Sequence, residues 1–275
     1  MDPQMAVTHL INQAKSRGAQ FIYGARVHGY PWNVEGDVTG VCFTRKALNP
    51  KVEQLLADVV VLANGTGVAR LAKAAGVRVA LLHKPGVLAW LRPASDQVKP
   101  VELSKIIVGD GIHFLQRKDG LVVVGESKET GGASSVAYVT GHAGEVQGGA
   151  AGHMAAAIEV EQADGHVGEP EASNVGARML AAAQRVIPAL KDATVELVSV
   201  GHRPMPADGM PVVGFASSSC STRSPRLYGA VCHSGVTLAP MLACMASLEI
   251  VRGVDVLDLS PYRPARFGPG RGGVG

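Results

Sequence analysis

The sequence predicts an α/β chain with an α+β portion. Parallel strands wound with helices stand at its two ends, and an antiparallel sheet lies between them. Three observations carry this. Two segments read strand, glycine turn, helix: ADVVVLANGTG followed by VARLAKAAG, and RLYGAVCHSGVTLAPMLACMASLEIVRG. Between them, residues 77–125 break into short alternating apolar runs separated by turn residues. The chain also has 275 residues, 47% apolar and 18% charged, which suits one large domain or two intimate ones and excludes a disordered chain.

In chain order, residues 3–17 read as a helix, with Pro3 near the start and Met5, His9, Leu10 and Ala14 at helical spacing. Gly18 ends it. AQFIYGARVHGY reads as a strand, and VEGDVTGVCFTR as a hairpin turning at Gly36-Asp37. The unbroken apolar run 59–62 predicts a strand buried on both faces. Asn64-Gly65-Thr66-Gly67 then turns tightly into a helix that stops at Gly76. Such a unit aims backbone N–H groups at a phosphate or a ring carbonyl. Lys118-Asp119-Gly120 is a hairpin turn between IHFLQR and LVVVGE. Residues 131–172, rich in Gly, Ala, Ser and His, read as a long surface insertion. A helix over 174–187 is stopped by Pro188, and VELVSVGHRP is a strand. Asp208-Gly209 turns into a short strand at 211–214, a strand follows at 227–231 and a helix at 238–251, and PYRPARF is an extended tail.

Composition narrows the partners. Lys plus Arg number 26 against 23 Asp plus Glu, dispersed without a basic stripe, and aromatic residues are 4%; a nucleic-acid surface is not expected. Cys42, Cys220, Cys232 and Cys244 form no CxxC pair, which fits neither a zinc site nor a disulfide scaffold but free thiols in a reducing, cytoplasmic compartment. His142, His153 and His166 are spaced too loosely for a metal, so none is expected. Residues 1–20 hold no signal-peptide run. The longest uncharged stretch, 227–248, is interrupted by Gly229, His233, Ser234, Gly235, Thr237 and Pro240, so no membrane span is expected.

Two segments together carry a resemblance. One is Gly201-His202-Arg203-Pro204 followed by Asp208-Gly209-Met210-Pro211-Val212-Val213-Gly214; the other is His233-Ser234-Gly235-Val236-Thr237-Leu238-Ala239-Pro240, after a strand and before a helix. The pairing resembles the D-amino-acid-oxidase-like (DAO) family of FAD-dependent oxidoreductases, which includes amino-acid oxidases, glycine oxidase and sarcosine oxidase relatives. DPQMAVTHLINQAKSRGAQFIYGARV, ADVVVLANGTG, GDGIHFLQRKDGLVVVGES and PYRPARF are similar to successive pieces of that family, so the likeness covers nearly all of the chain outside 131–172. One departure is large. The family opens with a βαβ unit carrying G-x-G-x-x-G. Here that string occurs only at Gly270, Gly272 and Gly275, with no strand before it. The resemblance therefore implies an incomplete FAD-binding Rossmann-like parallel sheet, lacking its first strand, plus an antiparallel-sheet substrate domain. Residues 1–76 would be the remaining FAD-binding part, 77–200 the substrate domain with its insertion, and 201–275 the return to the FAD-binding part.

The resemblance also assigns roles. Arg203 would fork onto a substrate carboxylate through two charge-assisted bonds. His113 falls where several amino-acid oxidases carry a tyrosine that closes on the substrate. His233, Ser234, Gly235, Val236 and Thr237 resemble the loop that meets the flavin, with a helix N-terminus favouring negative charge on the ring. Cys232 stands where the family often has glycine, a change expected to crowd the ring. Asn64 and Gly65 would touch FAD through backbone, and Val27 would line the adenine pocket through its main chain. Plainer readings stand beside these: an ion pair for Arg203, a helix-capping loop for 233–237, and an exposed strand histidine for His113. Asp208 is read as shaping its turn. The implied function is FAD-dependent oxidation of the C–N bond of an amino acid or related small-molecule amine, with hydride passing to flavin. The alternative is a non-catalytic remnant of such an enzyme that no longer binds FAD.

Overall fold

The structure is a computed structural model that describes residues 3–94, 101–109, 111–126, 169–216 and 226–268. Most of the expected insertion with its three histidines, Cys220 and the C-terminal glycine string lie outside the described residues. The chain forms two compact units, one within Met1–Leu82 and Pro204–Gly275 and one within His83–Gln147 and Val160–Arg203.

In the first unit, α1 (Pro3–Ser16) buries no residue and ends where Gly18 takes φ +92°. A meander follows: β1 (Ala25–Gly29), β2 (Gly40–Arg45) and β3 (Val52–Leu56), all antiparallel. The strand expected from residue 19 begins only at Ala25, because Gly24, at φ +66°, turns the chain just before it. The Asn33 side-chain oxygen accepts the N–H groups of Glu35 (3.1 Å) and Asp37 (2.7 Å) and shapes the predicted turn. At Gly40 a Cβ would stand 2.1 Å from the Leu55 carbonyl oxygen, so only glycine lets β2 and β3 meet there.

β4 (Val60–Leu62) leads through a 3₁₀ turn at Gly65–Gly67 into α2 (Val68–Ala74). In a second sheet β10 (Val212–Phe215) pairs antiparallel with β11 (Leu227–Val231), and β11 pairs parallel with β4. Val60, Leu62, Val212, Leu227 and Val231 pack on Val68, Leu71 and Ala72 of α2. The two-face burial expected of 59–62 does not hold: Val61 is 45% exposed. Tyr228, the register partner of Val61 on β11, packs with Val213 and Leu242 in a cluster that does not reach Val61, so the Val61 face is only partly covered.

The last helix, α4 (Gly235–Arg252), starts three residues earlier than its apolar periodicity suggested. Its inner side sets Leu242, Met245 and Ile250 against Val213 and Tyr228, while Val236, Met241, Leu248 and Val251 face outward. By length and composition alone α4 is apolar enough to cross a membrane, the one such helix among the described residues. The expected extended tail is instead two 3₁₀ segments, Leu257–Tyr262 and Pro264–Phe267. The physical reason is two arginine anchors. Arg263 forks onto Glu249, and Arg266 forks onto Asp208 at 2.6 and 3.1 Å, winding the backbone between them.

The second unit centres on a five-stranded sheet in the order β6 (Ile107–Gly109), β7 (Ile112–Gln116), β8 (Val122–Glu126), β5 (Leu81–Arg92) and β9 (Thr194–Pro206). The pairs β6–β7, β7–β8 and β8–β5 are antiparallel. Val87, Ala89, Phe114 and Val124 turn to one face, where Val175, Met179 and Ala183 of α3 (Glu169–Val186) cover them. Alternation puts Gly86, Leu88, Trp90, His113 and Gly125 on the opposite face.

Candidate functional site

The structure carries two candidate surfaces, one in each unit. In the first unit, β4 and β11 run parallel, so their C-terminal ends emerge on the same edge of the sheet. That edge is where open α/β sheets bind ligands. Asn64-Gly65 follows one strand and His233-Ser234-Gly235 the other, and the structure thus brings together these expected cofactor residues. Gly65 takes φ +62°. Among the described residues, beyond the local backbone, no atom lies within 4 Å of the place where a Cβ would stand on Gly65 or Gly235, so both backbones can be approached closely. Ser234, with φ 58°, is the only described non-glycine residue with positive φ. It makes no side-chain capping bond to α4; its hydroxyl lies 2.9 Å from His233 Nδ1 instead. Among the described residues no hydrogen bond takes up the N–H groups of Gly235 and Val236 at the start of α4, which leaves them for an outside acceptor. Thr237 bonds through its N–H to the Ser234 carbonyl at 3.0 Å.

Cys232 does not stand out from the loop. It is buried with Val213, Tyr228 and Leu242, and burial pushes its thiol upward. Val27 lies in β1, and its carbonyl accepts Arg70 Nη2 at 3.0 Å. The helix that follows Asn64-Gly65 therefore holds the Val27 main chain. The same helix is tied to the meander again where the Tyr30 hydroxyl donates to the Leu71 carbonyl at 2.8 Å. Burial raises the Tyr30 phenol far above its ordinary range.

The positive φ of Ser234 has a measurable consequence. Ser234→Val is expected to cost about 1–2 kcal/mol in urea unfolding, because a β-branched residue is strained in the left-handed region, whereas Ser234→Gly should lie near zero. Equal losses for both variants would mean that the serine hydroxyl, not the backbone, matters here.

In the second unit the structure brings Arg203 and His113 to one face of the sheet. Leu88, Gly125 and His113 form a cross-strand row, Leu88 opposite Gly125 and Gly125 opposite His113. The Arg203 guanidinium lies across Gly86, two residues along β5 from Leu88. His113 is half-buried, and its pKa is lowered first by that burial and then by the charge of Arg203. The imidazole thus stays neutral to lower pH than a free histidine, beside a fixed cation. Farther along the face, the Trp90 indole donates to the Ser199 hydroxyl at 3.3 Å and carries the Arg117 guanidinium 5.0 Å from its ring centroid.

Two other polar centres lie apart from these surfaces, and the one at Glu249 has no counterpart among the expected residues. Buried Glu249 accepts from the Tyr228 hydroxyl (2.7 Å), the Val256 N–H (3.1 Å) and both terminal nitrogens of Arg263. Asp208 shapes its turn by accepting the Met210 N–H at 3.1 Å, as expected, and is also gripped by Arg266, which holds its carboxyl below the usual range. Among the described residues no cluster of His, Cys, Asp or Glu could hold a metal.

Glycine-opened loops at the C-terminal ends of a parallel strand pair stand where open α/β sheets bind dinucleotides. The chain belongs to the DAO family, FAD dependent oxidoreductase, whose sequence pattern matches residues 1–247. An opine oxidase component of Agrobacterium tumefaciens (strain Ach5) is 34% identical over 94 residues, covering 34% of this chain and 24% of that protein. Its Rhizobium meliloti counterpart is 35% identical over 95 residues, with the same coverage. Two solved structures share the fold. Iminodiacetate oxidase (IdaA) from Chelativorans sp. BNC1 has a TM-score of 0.61 at 18% identity, covering 96% of this chain and 58% of that one. L-proline dehydrogenase from P. horikoshii has a TM-score of 0.63 at 17% identity, covering 97% and 60%. The chain thus spans about a quarter of the length of the curated relatives and three fifths of the solved ones.

The family is FAD dependent, and the loop residues fit the ring side of that group. Gly235 leaves room for close approach, and the uncapped start of α4 offers N–H donors to a ring carbonyl. Among the described residues no G-x-G-x-x-G turn is present for the pyrophosphate.

Proposed function

We propose that this chain carries the substrate-orienting and ring-contacting parts of an FAD-dependent oxidoreductase acting on the C–N bond of an amino acid or related amine. The observation that supports it most is the meeting of Arg203 and His113 on one sheet face in a chain of this family. When bound, FAD supplies the two-electron acceptor for the α-hydrogen, which leaves the substrate as hydride. The chain's own residues do the rest. Arg203 forks onto the carboxylate and fixes the α-carbon relative to it. His113, held neutral, offers a hydrogen bond without a second positive charge. The uncapped N–H groups of Gly235 and Val236, with Thr237 behind them, favour negative charge at the ring carbonyl. His233 and Ser234 hold the loop's shape, and Asn64 and Gly65 contribute backbone on the neighbouring strand. Val27 borders the adenine side.

In this reading residues 1–76 and 201–275 serve the cofactor, apart from Arg203, which joins 77–200 in serving the substrate. The substrates named for the similar proteins, opines, iminodiacetate and L-proline, all fit a carboxylate-bearing amine. A cytoplasmic setting accords with free thiols at Cys42, Cys232 and Cys244.

The test is direct. The purified chain is mixed with FAD, desalted and scanned; bands at about 370 and 450 nm that stay with the protein support the reading. A colourless protein would favour the non-catalytic remnant.

A further inference from the structure

The geometry points to Gly86 and Gly125 as positioning residues that seat Arg203 and His113; this rests on the carboxylate reading of Arg203. Two glycines on adjacent strands of one face leave bare backbone where side chains would otherwise project. On Gly86 a Cβ would stand 2.6 Å from Arg203 Nε and 3.1 Å from its Cζ and Nη2. On Gly125 a Cβ would stand 2.6 Å from both Cε1 and Nε2 of His113, and 2.8 Å from Leu88 Cδ2. Real Cβ atoms do not approach this closely, so something must move.

What moves separates these glycines from a structural one. At Gly40 the obstacle is the Leu55 backbone, which cannot yield without parting two strands. At Gly86 and Gly125 the obstacles are the tips of flexible side chains, which yield by leaving their places. An added methyl therefore leaves the sheet paired and displaces the working groups. Both glycines are buried, with the guanidinium over one and the imidazole over the other. A carboxylate gripped by two parallel bonds tolerates little displacement, since a shift of about 1 Å in a positioning group can cost up to 10²-fold.

The test uses the full chain with iminodiacetate as the probe carboxylate, its Kd measured by calorimetry. Gly86→Ala should weaken binding about tenfold, within the range set by such a displacement. In an Arg203→Ala background the same change should have no further effect, because the displaced group is gone. In an Arg203→Lys background it should also be mild, since the narrower ammonium avoids the new methyl. A Gly86→Ala penalty that persists in both backgrounds overturns the assignment. If Gly86→Ala alone fails to fold, recovery of folding by Arg203→Ala supports it, and failure of the double variant overturns it. Gly125→Ala should move the His113 ring resonances in NMR, assigned by their loss in His113→Gln; unmoved resonances overturn that half. If the unsubstituted chain does not bind iminodiacetate, the carboxylate reading fails by itself. The glycine seats are then judged on the Arg203 Nε–H and His113 ring resonances, which the two alanine variants must shift.

Discussion

Glu249→Gln is expected to lower the unfolding free energy by about 3 kcal/mol, the lower end for breaking a buried ion pair. Glu249 is 5% exposed and joins α4 to the segment that carries Arg263. Burial alone would push its carboxyl upward, but the bonds from Arg263, Tyr228 and the Val256 N–H outweigh it, so the net shift is downward. The loss stays at the lower end because Arg263 keeps Asp255 at 2.8 Å. The sign of the pH effect follows from the lowered pKa. Stability from this group is fully present above the unfolded value, about 4.3, and is lost as pH falls through the lower folded value. Wild type should therefore lose stability on acidification from about pH 5 downward, and Glu249→Gln should lose less over the same interval. Asp208, lowered by its hydrogen bond from Arg266, has the same sign and leaves a residual slope in both proteins. Urea unfolding at pH 7, 5, 4 and 3 checks this; two parallel curves would show that the Glu249 cluster does not set the acid limit.

Elements framed by local signals were legible in the sequence. α1 between Pro3 and Gly18, the turn at Lys118-Asp119-Gly120 and the strand at 227–231 each depend on residues within a few positions of one another. The start of α4 was not legible, because Ser234 enters it through a left-handed backbone without a capping bond, and no side-chain pattern announces that. Nor was the course of the tail, since Arg263 and Arg266 find their carboxylates outside the tail itself. Burial of 59–62 differs from the expectation because an apolar run reports what a strand can bury, while the elements stacked on its two faces decide what it does bury. At the candidate site, Arg203 and His113 were readable as residues, but their shared face was not. It depends on the register of β7, β8 and β5, which also places Gly86 and Gly125 beneath them. A glycine in a strand signals close approach of some kind without naming the group that approaches.

In the flavin-loaded protein, Arg203→Ala should cost more activity than any other single change on the sheet face. Truncating one partner of a hydrogen-bonded charge pair away from bulk water costs about 2–5 kcal/mol, or roughly 30- to 5,000-fold in kcat/KM. Arg203 is half-buried, so a carboxylate meeting it gives up water, and without the guanidinium nothing replaces that water. Arg203→Lys should recover part of the loss, since an ammonium restores the charge but not the two parallel bonds. The retained flavin spectrum should be unchanged, because the substitution leaves Asn64, Gly65 and residues 233–237, proposed to hold the cofactor, as they are. A structural salt-bridge role for Arg203 would instead lower stability and leave kcat/KM near its original value. His113 supplies a second readout. Its pKa is lowered by burial first and by Arg203 second, so removing the arginine should raise it part of the way toward the ordinary histidine value. The acid limb of the pH–activity profile, where it reports His113, should move to higher pH, because the ring now protonates sooner on acidification. Loss of kcat/KM together with an upward-shifted acid limb identifies one electrostatic unit on the sheet face. Loss of activity with an unmoved limb would separate the two residues and leave only Arg203 in contact with the substrate.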